Sequence, residues 1–174
     1  MSLTYQQQWR DASICMNDSQ LCPDFQIQRA RFNQLNLAQF YQIARLRQNV
    51  FIIEQQSIYA DLDNCDQQAI HFCCWGTDAL QEHLVGYARY RYLDSKNVCV
   101  IERVVMTQAA RGKGIASQLM HMMVTEIRSQ YSSAKVSLSA QVEAQAFHQR
   151  FGFVAVGDSY DDGGIEHISM YLAD

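Results

Sequence analysis

The chain has 174 residues, 48% of them hydrophobic and 18% charged, the proportions expected of one globular domain with a well-filled core. Its 14 Lys and Arg face 18 Asp and Glu, and no basic block occurs, which argues against a nucleic-acid binder and leaves a weak preference for cationic partners such as amines. No apolar run approaches the roughly 18 residues of a membrane span. Residues 1–10 also lack a basic segment leading into an apolar one, so a cytoplasmic protein is expected.

Residues 1–26 are polar, glutamine-dotted and carry the only proline, Pro23. They read as an extension, loosely packed or partly disordered, ahead of a single domain of residues 27–174. Ile27–Phe32 is predicted as a first strand. Asn36 is a good N-cap for a helix whose broad apolar face includes Leu37, Phe40, Ile43, Leu46 and Val50. The run continues into Phe51–Gln55, and Ser57–Gln68 follows as a polar, aspartate-rich loop. Ala69–Trp75 and Leu84–Leu93 read as strands. In the second, Val85, Tyr87, Arg89 and Arg91 alternate with Gly86, Ala88, Tyr90 and Tyr92, as a pleated surface requires. Val98–Met106 is the next strand. Gly114–Tyr131 is a long helix with Ile115, Leu119, Met123 and Ile127 on one face. A short strand, Val136–Ala140, precedes a helix over Glu143–Phe151 that Gly152 closes. Phe153–Val156 and Ile165–Leu172 form a last hairpin around Asp161–Gly164. The order β-α-β-β-β-α-β-α-β-β describes an α/β (α+β) chain, a mixed sheet with helices on its faces.

The chemistry concentrates where Val98–Met106 runs through Thr107–Ala110 into Arg111-Gly-Lys-Gly-Ile-Ala-Ser117. A strand feeding a glycine-bearing loop onto a helix N-terminus is an anion site, because unpaired N–H groups and the positive end of the helix dipole point at the ligand. A nucleotide-triphosphate loop would need glycine at position 107 and Ser or Thr after the Gly-Lys pair, and Thr107 and Gly114 stand there. A dinucleotide fingerprint would place its third glycine at Ser117. Other metal and disulfide readings are equally poor. Cys15, Cys22, Cys65, Cys73, Cys74 and Cys99 include no CxxC pair. A calcium loop starting at Asp61 would need Gly and Glu where Asp66 and Phe72 stand, so no metal is expected.

The pattern that fits is Arg-x-x-Gly-x-Ala at Arg111, Gly114 and Ala116, which resembles the pyrophosphate loop of the GNAT N-acetyltransferases. A second segment, Gln141-x-x-Ala144-x-x-Phe147-His148-x-x-x-Gly152-Phe153, resembles that family's later motif. Arg47-x-x-Val50-Phe51-Ile52-Ile53-Glu54-Gln55 and Tyr160–Met170 are similar to its ElaA-like group, and the likeness covers about Phe32 to Met170. The resemblance implies a mostly antiparallel central sheet flanked by helices, acetyl-CoA as co-substrate and an amine as acceptor, with room for a homodimer. It also implies that Val104, Val105 and Met106 hydrogen-bond the pantetheine arm. Arg111, Gly112, Lys113, Gly114, Ile115 and Ala116 would wrap the pyrophosphate, with Ser117 adding a hydroxyl and Gln141 a pantetheine contact. Acetyl transfer would be direct. A non-catalytic acyl-CoA-binding or sensing domain is the alternative, and synthesis of a homoserine-lactone signal lacks the residues it would need.

Three demands follow from that chemistry: a proton acceptor for the amine, fixed donors for the carbonyl oxygen, and a hydrogen bond or proton for the departing thiolate. Glu102 sits in an otherwise apolar strand, so it either lines a cleft as proton acceptor or pairs with an arginine such as Arg89 or Arg103. The ElaA-like pattern usually has glycine there. His148 stands where the family has its acidic tyrosine. It either donates an N–H to the leaving sulfur or is a helix-surface histidine. Glu54, Asp63, His71, Tyr160 and His167 form the expected acceptor-site set, each with a structural reading beside the functional one.

Overall fold

In the computed structural model, which describes residues 25–77 and 82–173, the strands pair in the order β1-β2-β3-β4-β5-β7-β6. These are β1 (Phe25–Arg31), β2 (Ile70–Thr77), β3 (Glu82–Leu93), β4 (Val98–Met106), β5 (Lys135–Gln141), β6 (Phe153–Asp162) and β7 (Ile165–Leu172). Helix α1 (Leu37–Arg47) follows β1, α2 (Ile115–Gln130) follows β4, and α3 (Gln145–Gln149) follows β5. Every pairing is antiparallel except β4 with β5. Residues 1–24, most of the expected N-terminal extension, lie outside the described residues, and β1 starts at Phe25 rather than Ile27.

The alternating strands give the sheet two apolar faces. Ile43, Leu46 and Val50 from the α1 side pack on Cys73, Trp75, Leu84, Tyr87 and Val105. On the opposite face Leu119, Met120, Met123 and Ile127 of α2, with Phe147 of α3, cover Phe72, Tyr90, Ile101, Leu138 and Met170. Asn36 starts α1 through a reciprocal box: its Oδ1 accepts from the Gln39 N–H at 2.8 Å, and Gln39 Oε1 accepts from the Asn36 N–H at 3.0 Å. Beyond Arg47 the helix widens into a π-helical stretch, Gln48–Glu54, which closes when the Gln55 N–H reaches back to the Val50 carbonyl. Such widening re-aims side chains within a continuous helix. Here it brings Phe51 and Gln55 to the cleft described below.

Differences from the sequence reading fall where polar stretches join elements. The helix expected over Glu143–Phe151 is a tight turn, Val142–Ala144, followed by the short α3. Strand β6, expected to end at Val156, continues to Asp162, because a register slip between Val156 and Tyr160 absorbs the polar Gly157–Ser159 segment. Gly163 and Gly164, at φ 66° and 85°, supply the two left-handed residues that a tight hairpin turn requires.

Two irregularities open the sheet. Strands β4 and β5 pair only from Val98–Ile101 to Lys135–Leu138, and then part. On its other edge β4 bulges against β3, where Arg103 and Val104 face Ala88 between the Tyr87–Val105 and Arg89–Glu102 pairs. Arg103 takes φ 57°, a left-handed conformation uncommon for a side chain of this size.

A charge network holds both this bulge and the Ser57–Gln68 loop. Arg47 donates to Asp61 Oδ2 at 2.9 Å, to the Asp61 carbonyl, and to Asp66 Oδ1 at 2.7 Å. Arg89 donates to Asp66 Oδ1 at 2.6 Å, to both Asp63 oxygens, and to Glu102 at 3.0 Å. Arg103 reaches Asp61 at 2.9 Å and Asp63 at 3.1 Å. Arg47 and Arg89 have no solvent exposure, so these carboxylates, rather than water, match their charge. His71 completes the buried cluster: its Nε2–H donates to the Asp66 carbonyl at 2.9 Å, and its Nδ1 accepts from the Tyr87 hydroxyl at 2.8 Å. Removing one cation from such a set leaves carboxylates buried without it. Arg47→Ala is therefore expected to cost about 3–5 kcal/mol, read as a lowered urea midpoint at unchanged slope.

Candidate active site

Where β4 and β5 part, they enclose a cleft of about 480 Å³. Val100–Val104 of β4 form one wall and Leu138–Gln141 of β5 the other. Ala144 and His148 come from α3 and its preceding turn, Phe51 and Gln55 from the end of the π-helical stretch, and Ser57, Tyr59 and Asp63 from the aspartate-rich loop. Asp162, Ile165 and His167 of the β6–β7 hairpin complete the lining. The loop and the hairpin meet through Ser57, whose hydroxyl donates to the Gly163 carbonyl at 2.8 Å.

Two polar atoms in this cleft are buried without a hydrogen-bond partner among the described residues: Gln141 Oε1 and His148 Nδ1. The other end of the Gln141 amide is fixed, with Nε2 donating to Gln55 Oε1 at 3.0 Å. His148 is 5% exposed, so it is not a helix-surface histidine. Phe147 and Phe153 stand edge-on to its ring. Burial in these surroundings pushes its pKa down to about 4, and the imidazole is neutral near pH 7. A neutral ring carries one N–H donor and one lone pair.

The other expected site residues separate into those that line the cleft and those that do not. Glu102 lines it, but Arg89 donates to its Oε2 at 3.0 Å, while Arg91 donates to Oε2 at 2.9 Å and to Oε1 at 2.6 Å. Guanidinium donors thus occupy both oxygens, the ion-paired arrangement that stood beside the proton-acceptor role in the sequence reading. Burial alone would raise the Asp63 carboxyl. Hydrogen bonds from Arg89 and the Cys65 N–H outweigh it and hold Asp63 well below the usual carboxylate range. His71 is a correction: with no exposure, it is a core residue bonded to Asp66 and Tyr87 and cannot meet an acceptor. Glu54 is a second, standing outside the cleft lining and receiving both Arg111 guanidinium nitrogens, at 2.6 and 2.8 Å. Tyr160 hydrogen-bonds Ser139 through its hydroxyl and stands beside His167, which lines the cleft.

Beyond the open end of β4 comes the glycine loop. Buried Ala110 and Ile115 anchor it on either side. Gly112 and Gly114 take φ 72° and 76°, and a Cβ built on either would meet no atom within 4 Å, so the space before them is open. Gly114 caps α2 without any side-chain acceptor. The N–H groups of Gly112, Lys113, Gly114, Ile115 and Ala116 find no acceptor among the described residues. Arg111 is tied back by Glu54 and by the Met106 carbonyl, which its Nε reaches at 3.3 Å, so this side chain braces the loop. The cradle is therefore made of backbone donors, which suits a phosphate-bearing ligand.

Gln55, Ser57, Tyr59, Arg103 and Ser139 belong to the cleft but not to the expected site set. Gln55 falls within the stretch that resembles the ElaA-like group, and Tyr59 within the polar loop that follows it, which are the available signals. Arg103 was named only as a candidate partner of Glu102, and Ser57 and Ser139 carry no signal.

A family model described as "Acetyltransferase (GNAT) domain" matches residues 37–173. The Escherichia coli protein ElaA is 35% identical over 141 residues, covering 79% of this chain and 90% of that one. A UPF0039 protein of Synechocystis is also 35% identical over 141 residues, with 80% and 90% covered. Among solved structures, an acyl-CoA N-acyltransferase from Pseudomonas aeruginosa superposes with TM-score 0.77 at 33% identity, over 86% of this chain and 99% of that one. The crystal structure of E. coli ElaA gives 0.78 at 32% identity, with the same coverage. The parted β4–β5 cleft, the backbone cradle at α2 and these likenesses converge: the chain belongs to the GNAT acetyltransferases, in the ElaA-like group, and is an acyl-CoA-dependent transferase.

Proposed function

We propose that the enzyme moves an acetyl group from acetyl-CoA directly to a primary amine carried by a small molecule or a peptide. The observation that carries this reading is a set of three features that find no partner among the described residues. These are the N–H groups of residues 112–116, the β4 edge facing β5 beyond Ile101, and the buried atoms Gln141 Oε1 and His148 Nδ1. A buried polar atom without a partner costs free energy unless a ligand satisfies it.

Bound against these groups, acetyl-CoA supplies the thioester that is the acyl donor. The N–H groups of Gly112–Ala116 hold its pyrophosphate, assisted by the Ser117 hydroxyl and the first-turn dipole of α2. Val104, Val105 and Met106 offer backbone groups to the pantetheine arm as a partner strand would, and Gln141 Oε1 accepts from an amide N–H. His148 directs its ring toward the sulfur and donates an N–H, stabilising charge by a hydrogen bond rather than by a full positive charge. The amine enters between the Ser57–Gln68 loop and the β6–β7 hairpin, where Asp162 leaves a carboxylate facing the cleft mouth and favours cations.

The deciding experiment mixes enzyme and acetyl-CoA with polyamines, amino sugars, amino acids and peptides, and follows release of free thiol. Turnover with an amine is expected. Tight coenzyme A binding with no thiol release from any acceptor would overturn the reading. Gly114→Glu places a bulky anion in the cradle and is expected to abolish acetyl-CoA binding by calorimetry while the circular dichroism spectrum is retained. Unchanged affinity would remove the cradle assignment.

The neutral state of His148 has a further consequence. In the unfolded chain a histidine titrates near 6.5, whereas burial holds His148 at about 4 in the fold. Between those values the unfolded state binds more protons, so stability falls as pH drops from about 6.5 to about 4, by on the order of 3 kcal/mol. His148→Phe is expected to flatten that part of the stability–pH curve, measured by urea denaturation at pH 7 and pH 4.5. Burial of His71 acts in the same direction and retains some slope in the variant.

A further inference from the structure

With Glu102 locked between two arginines, the cleft needs another group to take the proton that the amine loses. Most of its titratable side chains are unsuited. Asp63 has both oxygens engaged by arginines and accepts the Cys65 N–H as well. Tyr59 donates its hydroxyl to Asp61, and burial, only partly opposed by Arg103, pushes its pKa up to about 12, so it keeps its proton. His148 is too weak a base in its buried setting to hold a proton taken from an amine. Arg103 has no lone pair to offer. Asp162 is an exposed carboxylate at the hairpin end, where solvent shares its oxygens.

His167 differs from all of these. One of its ring nitrogens, Nδ1, lies 2.8 Å from the backbone carbonyl of Ile165. A carbonyl oxygen only accepts, so Nδ1 carries the hydrogen, and in the neutral ring Nε2 is a bare lone pair. The ring is held on a second side by Tyr160, whose plane lies 27° from it with centroids 6.3 Å apart. Tyr160 is itself fixed through its hydroxyl to Ser139. His167 also pairs in register with Gln141 on β5 and with Tyr160 on β6. Directly paired residues share a face of the sheet, so the imidazole stands beside the Gln141 amide, on the wall that lines the cleft. It is partly exposed, which gives a captured proton a way out to water.

We propose that His167 Nε2 is the proton acceptor of the acetyl-transfer step, with the Ile165 carbonyl and Tyr160 as the groups that position it. This rests on the acetyl-transfer reading given above. As the amine nitrogen bonds to the thioester carbonyl carbon, its surplus proton passes to Nε2. The C–S bond breaks with its electron pair moving to sulfur, and the sulfur takes up one proton from solvent while His167 returns one. Acetyl-CoA and amine thus become amide and free thiol with no net change in protons beyond the two products. A carbonyl-locked tautomer is what such a role requires, since the alternative tautomer would present an N–H to the amine.

The test uses the full chain and has two arms. Long-range 15N–1H NMR of the imidazoles, with the His167 signals identified by their loss in His167→Gln, is expected to show the neutral ring as the Nδ1–H tautomer with Nε2 unprotonated. An Nε2–H tautomer would overturn the proposal without any acceptor being present. In the second arm, ethanolamine, putrescine and glycinamide serve as probe amines at saturating acetyl-CoA. His167→Gln is expected to lower kcat/KM for the amine by about 100-fold or more and to remove its rise with pH on the acid side. The acetyl-CoA Kd should stay within about twofold, and added imidazole should restore part of the rate. A wild-type pH profile in His167→Gln would overturn the proposal, as would a loss traced wholly to weaker acetyl-CoA binding. Failure of the wild-type protein to bind acetyl-CoA would instead overturn the reading on which the proposal rests.

Discussion

Strands β4 and β5 stop pairing at Ile101 and Leu138, and the rest of the site depends on that separation. Parallel neighbours in a sheet normally satisfy one another's backbone groups along their whole length, so a parted pair needs something to hold it open. In this chain the bulge at Arg103 turns β4 away, and ionic contacts to Asp61 and Asp63 keep the left-handed Arg103 in place. The same carboxylates, with Asp66 and Glu102, neutralise the fully buried Arg47 and Arg89. One network therefore folds the aspartate-rich loop against the sheet, fixes the bulge, and sets one rim of the cleft. Its cost in desolvation is large, and its geometry makes it specific.

Polar satisfaction divides the molecule into structural and ligand-facing parts. His71, Tyr87 and the Asp66 carbonyl close their hydrogen bonds on one another, deep in the core. Gln141 Oε1, His148 Nδ1 and the N–H groups at the start of α2 find no partner among the described residues. Where the other buried side-chain polar atoms of the described residues are paired, such open valences suit a ligand. The two buried histidines make the contrast plain: both are held neutral by burial, but one is spent on structure and the other faces the cleft.

Much of the architecture was legible in the chain because local signals agreed with it. Asn36 and Gln39 form the cap that their spacing suggests, Gly114 begins α2 and Tyr131 ends it, and the alternation in Leu84–Leu93 marks both faces of β3. The element order follows from those signals. Gly157–Ser159 misled because a polar stretch that normally signals a turn is here absorbed in a register slip on an edge strand, where one irregularity is tolerated. The π-helical widening after Arg47 was not legible, since apolar residues at Val50–Ile53 satisfy an ordinary helix equally well.

By itself the sequence determined the order of elements, the backbone cradle at residues 111–117 and the family likeness, because each rests on neighbours along the chain: glycines that permit left-handed φ, caps and periodic apolar faces. Tertiary structure alone decided which charged and polar side chains are free. The sequence left Glu102 between a cleft base and an arginine ion pair until β3 laid Arg89 and Arg91 across it, and Glu54 looked available until Arg111 reached it from far along the chain. His71 and His167 looked alike as strand histidines, and only the fold buried one and left the other partly exposed on the cleft wall with its Nδ1 against the Ile165 carbonyl. Ion pairing and tautomer choice depend on distances between residues remote in sequence, and no local pattern encodes those distances.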